Sequence, residues 1–136
     1  MKQTPAHDIY NPDVLRLMPK YLQRVVEVGC SSGALARAYI AENPRCEYTG
    51  IEIDPQYAER AAAICSSIIC ADVEALDEET FVSLFPSDCW IFGDSLEHLR
   101  DPWGLLTRVR CHLPDSARIV ACIPNALRPR VGNVLA

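Results

Sequence analysis

No stretch of this 136-residue chain is long and apolar enough to cross a bilayer as a helix. The longest run without Asp, Glu, Lys or Arg covers residues 61–71 and includes two serines, whereas a spanning helix needs about 20 mainly apolar residues. The opening MKQTPAHDIYNPD has no apolar run of the kind that makes a secretory signal. Basic charge is also in short supply. Thirteen Lys and Arg stand against 18 Asp and Glu, for a net charge of −5 and a pI near 5.1. Binding to a nucleic-acid backbone through bulk charge is therefore not expected. The seven cysteines (30, 46, 65, 70, 89, 111 and 122) include no C-x-x-C pair. An odd count without that spacing is neither a disulfide framework nor a zinc site. Most lie in apolar runs, where a free thiol packs as a small hydrophobe, and a reducing, cytoplasmic setting fits. With 49% hydrophobic residues, the chain is not disordered and can bury the core of one domain.

The charge that is present is segregated. Residues 61–99 carry eight acids and no base, while residues 100–136 carry six bases and two acids. The basic segment reads either as a solvated helix face with a loop or as a surface turned to an anion.

Five short β-type runs cover residues 24–28, 46–53, 67–70, 88–93 and 117–123. Helical spacing separates them: Leu35, Ala36, Tyr39 and Ile40; Tyr57, Ala58, Ala61, Ala62 and Cys65; Phe81, Leu84 and Phe85; Leu105, Leu106, Val109 and Leu113. Asn11-Pro12, Asp54-Pro55 and Asp101-Pro102 each place a capping side chain before a proline, which is tolerated at the first helical position. Strand and helix in alternation imply parallel strands joined by right-handed crossovers. The expected architecture is a doubly wound, Rossmann-like α/β sheet, mainly parallel, with helices on both faces. Sheets of this kind bind ligands at the carboxyl ends of their strands.

The first such turn reads Glu27-Val28-Gly29-Cys30-Ser31-Ser32-Gly33. Its glycines admit close backbone approach, and a helix N-terminus with free N–H groups follows. It matches the dinucleotide fingerprint G-x-G-x-x-G poorly, because positions 31 and 34 are Ser and Ala. The spacing Glu27-x-Gly29-x-Ser31-x-Gly33 instead resembles the first motif of the class I S-adenosylmethionine-dependent methyltransferases, with Ser31 in place of the middle glycine. The resemblance continues in Gly50-Ile51-Glu52-Ile53-Asp54-Pro55, in Ala71-Asp72-Val73-Glu74, in Asp94-Ser95-Leu96-Glu97-His98-Leu99-Arg100-Asp101-Pro102, which is similar to the D-x-L-E-H-x-x-D-P segment, and in Pro124-Asn125.

It implies S-adenosylmethionine as cofactor. Glu27, Gly29, Cys30, Ser31 and Gly33 would form its loop, Glu52 would hold the ribose hydroxyls, Asp72 the adenine amino group and Asp94 the methionine ammonium, with Ile53 and Val73 also cofactor-binding. The residue chemistry agrees, since an ionised Glu52 can accept both hydrogen bonds of a vicinal diol and Asp72 is an acceptor suited to an amine.

Methyl transfer from a sulfonium mainly requires alignment and exclusion of water. A base is needed only where the acceptor must lose a proton. His98 is the candidate, alongside readings in which Glu97 and His98 orient the loop or, with Asp94, hold a divalent ion. No catalytic or metal residue is assigned. Trp90 is expected in the core and Trp103 to pack its helix on the sheet or line the acceptor pocket, while Tyr10, ahead of the first helix, is only a candidate to close over the cofactor.

The family fold has seven strands, and no sixth or seventh fits the residues after Asn125. Residues 1–136 are thus expected to form one cofactor-binding domain, incomplete at its C-terminal side, whose fifth strand needs cover from further chain or from a second copy in a homodimer. The function expected is methyl transfer to an acceptor, a small molecule or another cell component, that the sequence does not identify. Alternatives are a non-catalytic cofactor-binding or assembly module and, less well matched because of Ser31, a nicotinamide-dependent oxidoreductase.

Overall fold

The computed structural model describes residues 9–125 and 128–135, with side chains as far as residue 123. Six strands form one sheet: β1 Arg24–Val28, β2 Glu47–Glu52, β3 Ser67–Cys70, β4 Cys89–Gly93, β5 Arg118–Asn125 and β6 Arg128–Leu135. Their order is β3-β2-β1-β4-β5-β6. The first five are parallel, with Val26 paired to Thr49 on one side and to Trp90 on the other. The expected five-strand α/β arrangement is therefore present.

Beyond it, β6 runs antiparallel to β5, with Cys122 opposite Val134. This corrects the expectation that no strand follows Asn125. Pro129 and Gly132 make the segment read as loop, because proline donates no ladder bond and glycine packs no side chain. At a sheet edge both are tolerated. The edge of β5 is thus paired within the chain.

The side-chain period of 2 divides the core between the two faces of the sheet. Val25, Tyr48, Ile91 and Val120 lie on one face, packed with α1 Pro12–Leu17, α2 Ala34–Glu42 and Ala61 of α3 Pro55–Ala62. Val26, Val28, Trp90, Phe92 and Ala121 lie on the other, under α4 Glu78–Ser83 and α5 Pro102–His112. β4, enclosed on both faces, reads as a continuous apolar run for that reason, and β1 does so apart from Arg24 and the buried Glu27. Trp90 is fully buried, as expected.

Trp103 is not, at 78% exposed. Leu105 and Val109 set the inward stripe of α5, and a residue two places before Leu105 falls about 200° away around the helix. The expectation that Trp103 packs α5 on the sheet is thereby corrected. The three Asx-Pro starts all cap. Asn11 accepts from Asp13 N–H, Asp54 from Gln56 and Tyr57 N–H, and Asp101 from Gly104 N–H. No helix among the described residues is long and apolar enough to cross a membrane.

Candidate functional site

Strand order reverses between β1 and β4, and the loops leaving their carboxyl ends open a crevice there. The β1–α2 turn lines it with an unusual backbone. Gly29, Ser31 and Gly33 have φ of 75°, 53° and 93°. Glycine adopts such angles freely, whereas Ser31 does so at a cost of about 1–2 kcal/mol. The turn is anchored on β2, since Gly29 N–H and Cys30 N–H both donate to the Ile51 carbonyl, at 2.8 and 3.3 Å.

Glu52, 6% exposed at the end of β2, joins the two loops. Its Oε1 accepts from Ser31 N–H at 2.8 Å and its Oε2 from Asp54 N–H at 2.9 Å. Each carboxylate oxygen has two lone pairs, so one acceptor position on each remains for a ligand. Asp54 is the cap of α3, as its place before Pro55 suggests. Ile53 follows at the mouth, half-buried.

Glu27 is enclosed beneath the turn. The Tyr48 hydroxyl donates to its Oε1 at 2.7 Å. Burial pushes its carboxyl up to about 7, against the pull of the Tyr48 bond, and the nearby Glu52 charge pushes the same way. Cys30 turns its thiol into the core, where a Cβ on Gly50 would collide with it. Only its backbone can face a ligand.

At the end of β3, Asp72 Oδ1 accepts from Glu74 N–H at 2.9 Å and caps a 3₁₀ turn over Val73–Ala75. Val73 is buried in the core under α4 and α5. Glu74 has a role invisible in the motif. Its two carboxylate oxygens accept from Arg100 and Asp101 N–H, both at 2.9 Å, and so clamp the β3 loop to the entry of α5. Only partners 26 and 27 residues away reveal it.

After β4, Gly93 borders open space, with no atom within 4 Å of where a Cβ would stand. Asp94 is exposed with φ 52°. Its charge lies near the Cys122 thiol, whose pKa is pushed up to about 11 by burial first and by Asp94 next. Asn11 Nδ2 reaches the same sulfur at 3.4 Å. The start of α1, with half-exposed Tyr10 before it, therefore stands beside the β4 loop.

His98 Nε2 lies 3.6 Å from Glu97 Oε1, in a second 3₁₀ turn over Leu96–His98. Burial raises the Glu97 carboxyl above its ordinary value, and the Asp94 charge adds to that rise. The ten cofactor residues expected from the sequence thus lie at or just beyond the carboxyl ends of β1 to β4, at one end of the sheet. Among the described residues, no three His, Cys, Asp or Glu side chains gather as a metal would require. A groove of about 730 Å³ lined by Tyr21, Leu22, Arg24 and Asn43 lies at the opposite, N-terminal ends of β1 and β2.

A parallel sheet ordered 3-2-1-4-5, with a glycine turn after β1, is the fold of the class I S-adenosylmethionine-dependent methyltransferases. Residues 26–119, more than two-thirds of the chain, match the family described as methyltransferase domain. The chain belongs to that family.

Solved structures share the fold. The plantazolicin methyltransferase BpumL in complex with SAH superposes with a TM-score of 0.67 at 18% identity, over 76% of this chain and 40% of its own. StiE O-MT gives 0.66 at 16%, over 88% and 44%. Coclaurine N-methyltransferase bound to N-methylheliamine and SAH gives 0.66 at 15%, over 82% and 35%. This chain therefore spans less than half the length of each. No curated protein matches it in sequence.

Proposed function

We propose that this domain binds S-adenosylmethionine in the crevice between β1 and β4 and serves methyl transfer to an acceptor. Bound there, the cofactor supplies an electrophilic methyl group. The supporting observation is the β1–α2 turn, where three left-handed residues hold the backbone open and the Glu52 carboxylate ties it to β2.

Glu27, Gly29, Cys30, Ser31 and Gly33 shape the turn, Cys30 through its backbone. Glu52 keeps one lone pair per oxygen for a ribose diol, beside Ile53. Asp72, with one oxygen used as a cap, offers the other to an adenine amine, and Val73 walls that pocket through the backbone. Asp94 faces an ammonium. The side chains offered to the ligand are almost wholly acidic acceptors, which suits a ligand carrying a sulfonium and an ammonium. His98 and Glu97 stand on the β4 loop, where an acceptor's proton would be taken.

The titration of the chain with SAH by calorimetry tests this reading. Binding that Glu52→Gln weakens by at least ten-fold, with the circular dichroism unchanged, supports it. No heat at millimolar SAH refutes it. A second reading is a cofactor-binding or assembly module without catalysis. Binding of SAH without methylation of any component of a cell extract would favour that reading.

A further inference from the structure

Among the described residues, only two buried side-chain oxygens lack a hydrogen-bond partner, and both are in this crevice: Ser31 Oγ and Ser95 Oγ. Buried polar groups are almost always paired, so an orphan marks a place where something else supplies the partner. Ser95 is 3% exposed and directly follows the left-handed Asp94. It packs on the glycine turn, its Cβ lying 3.1 Å and its Oγ 3.9 Å from where a Cβ on Gly29 would stand. The β4 loop thus rests on the one position in the turn where a side chain would push it away, and it leaves a hydroxyl there unpaired.

We infer that Ser95 is a positioning residue whose hydroxyl pairs with the amino-acid end of the bound cofactor. This rests on the proposed cofactor reading and goes one residue beyond it. Sheet order decides which end of the ligand it meets. Glu52 and Asp72, at the ends of β2 and β3, lie on one side of β1, and Ser95, after β4, lies on the other. A ligand with its adenosine over β2 and β3 crosses Gly29 and brings its amino-acid end to Ser95. A serine hydroxyl can donate to the carboxylate or accept from the ammonium.

Ser95→Ala tests this, because it keeps the Cβ that packs on Gly29 and deletes only the oxygen. The ligand-free variant should unfold at the same urea midpoint as the parent or a higher one, since an unpaired hydroxyl has been removed. Its affinity for SAH should fall about ten-fold, the loss expected for one hydrogen bond to a charged group. Its affinity for 5′-methylthioadenosine, which lacks the amino-acid end, should equal that of the parent. A lower urea midpoint would show that the hydroxyl already serves the protein, and would overturn the inference. Equal SAH affinity, or a matching loss for 5′-methylthioadenosine, would also overturn it. Failure of the parent chain to bind SAH would instead refute the reading beneath it.

Discussion

Replacing Glu27 with glutamine isolates the energetics of the buried acid beneath the glycine turn. Glu27 is 5% exposed in the central strand and has the Tyr48 hydroxyl as its donor at 2.7 Å. Burial, opposed by that bond and reinforced by Glu52, lifts its pKa from 4.5 to about 7. Between those two values the folded chain holds a proton that the unfolded chain has released. Stability from this group is therefore complete below about pH 4.5, declines as pH rises through 7, and is level above that. A rise of about 2.5 units at 1.36 kcal/mol each corresponds to a loss of about 3 kcal/mol across the window.

Glutamine has nearly the same shape, keeps an oxygen for Tyr48 and has no charge to desolvate. Urea unfolding of parent and Glu27→Gln at pH steps from 4 to 8 measures the difference directly. The variant should gain about 3 kcal/mol relative to the parent between the two ends. Tyr48→Phe, which removes the one bond holding the pKa down, should move the parent's midpoint upward. A parent–variant difference that stays constant with pH would refute the argument, because it would mean that Glu27 ionises equally in both states.

Three further substitutions probe the same loops. Ser31→Gly relieves a left-handed serine and deletes an unpaired buried hydroxyl, and should stabilise the chain by about 1 kcal/mol after the entropic cost of glycine; a lower melting temperature would count against both assignments. Gly104→Ala would ordinarily gain about 1 kcal/mol in a helix, but here the new Cβ meets the Asp101 carboxylate that caps α5. Loss of a cap costs about the same, so the melting temperature should hardly move, and a full gain would show that Asp101 does not cap. Glu74→Ala frees the Arg100 and Asp101 amides and should speed their hydrogen exchange while leaving β1 and β4 amides unchanged; unaltered exchange at 100 and 101 would show that the clamp does not form in solution.

What could be read ahead of the structure follows from how far apart the interacting residues lie. Caps at Asn11, Asp54 and Asp101 are legible because the capping oxygen and the amide it meets are two or three residues apart. The strands are legible because β1 and β4 are enclosed on both faces, which makes β4 an apolar run and leaves Glu27 as the one acid among the valines of β1. The site acids are legible by position, since each lies where a parallel strand ends. β6 fails this test: it owes its place to backbone pairing with β5, and Pro129 and Gly132 carry no strand signature. Trp103 is a different case, since the Leu105–Val109 spacing already turns it about 200° from the inward stripe of α5.

The two features most telling for function fail it more completely. Ser95 matters through Gly29, and Glu74 through Arg100 and Asp101, contacts that no local pattern encodes. A motif can name the residues that touch a ligand, because each sits at a strand end. It cannot name the residues that hold those loops together, because their partners come from other crossovers of the sheet. Ser95 belongs to both groups if its hydroxyl meets the ligand, which is why removing one oxygen should loosen binding while leaving the fold as firm as before.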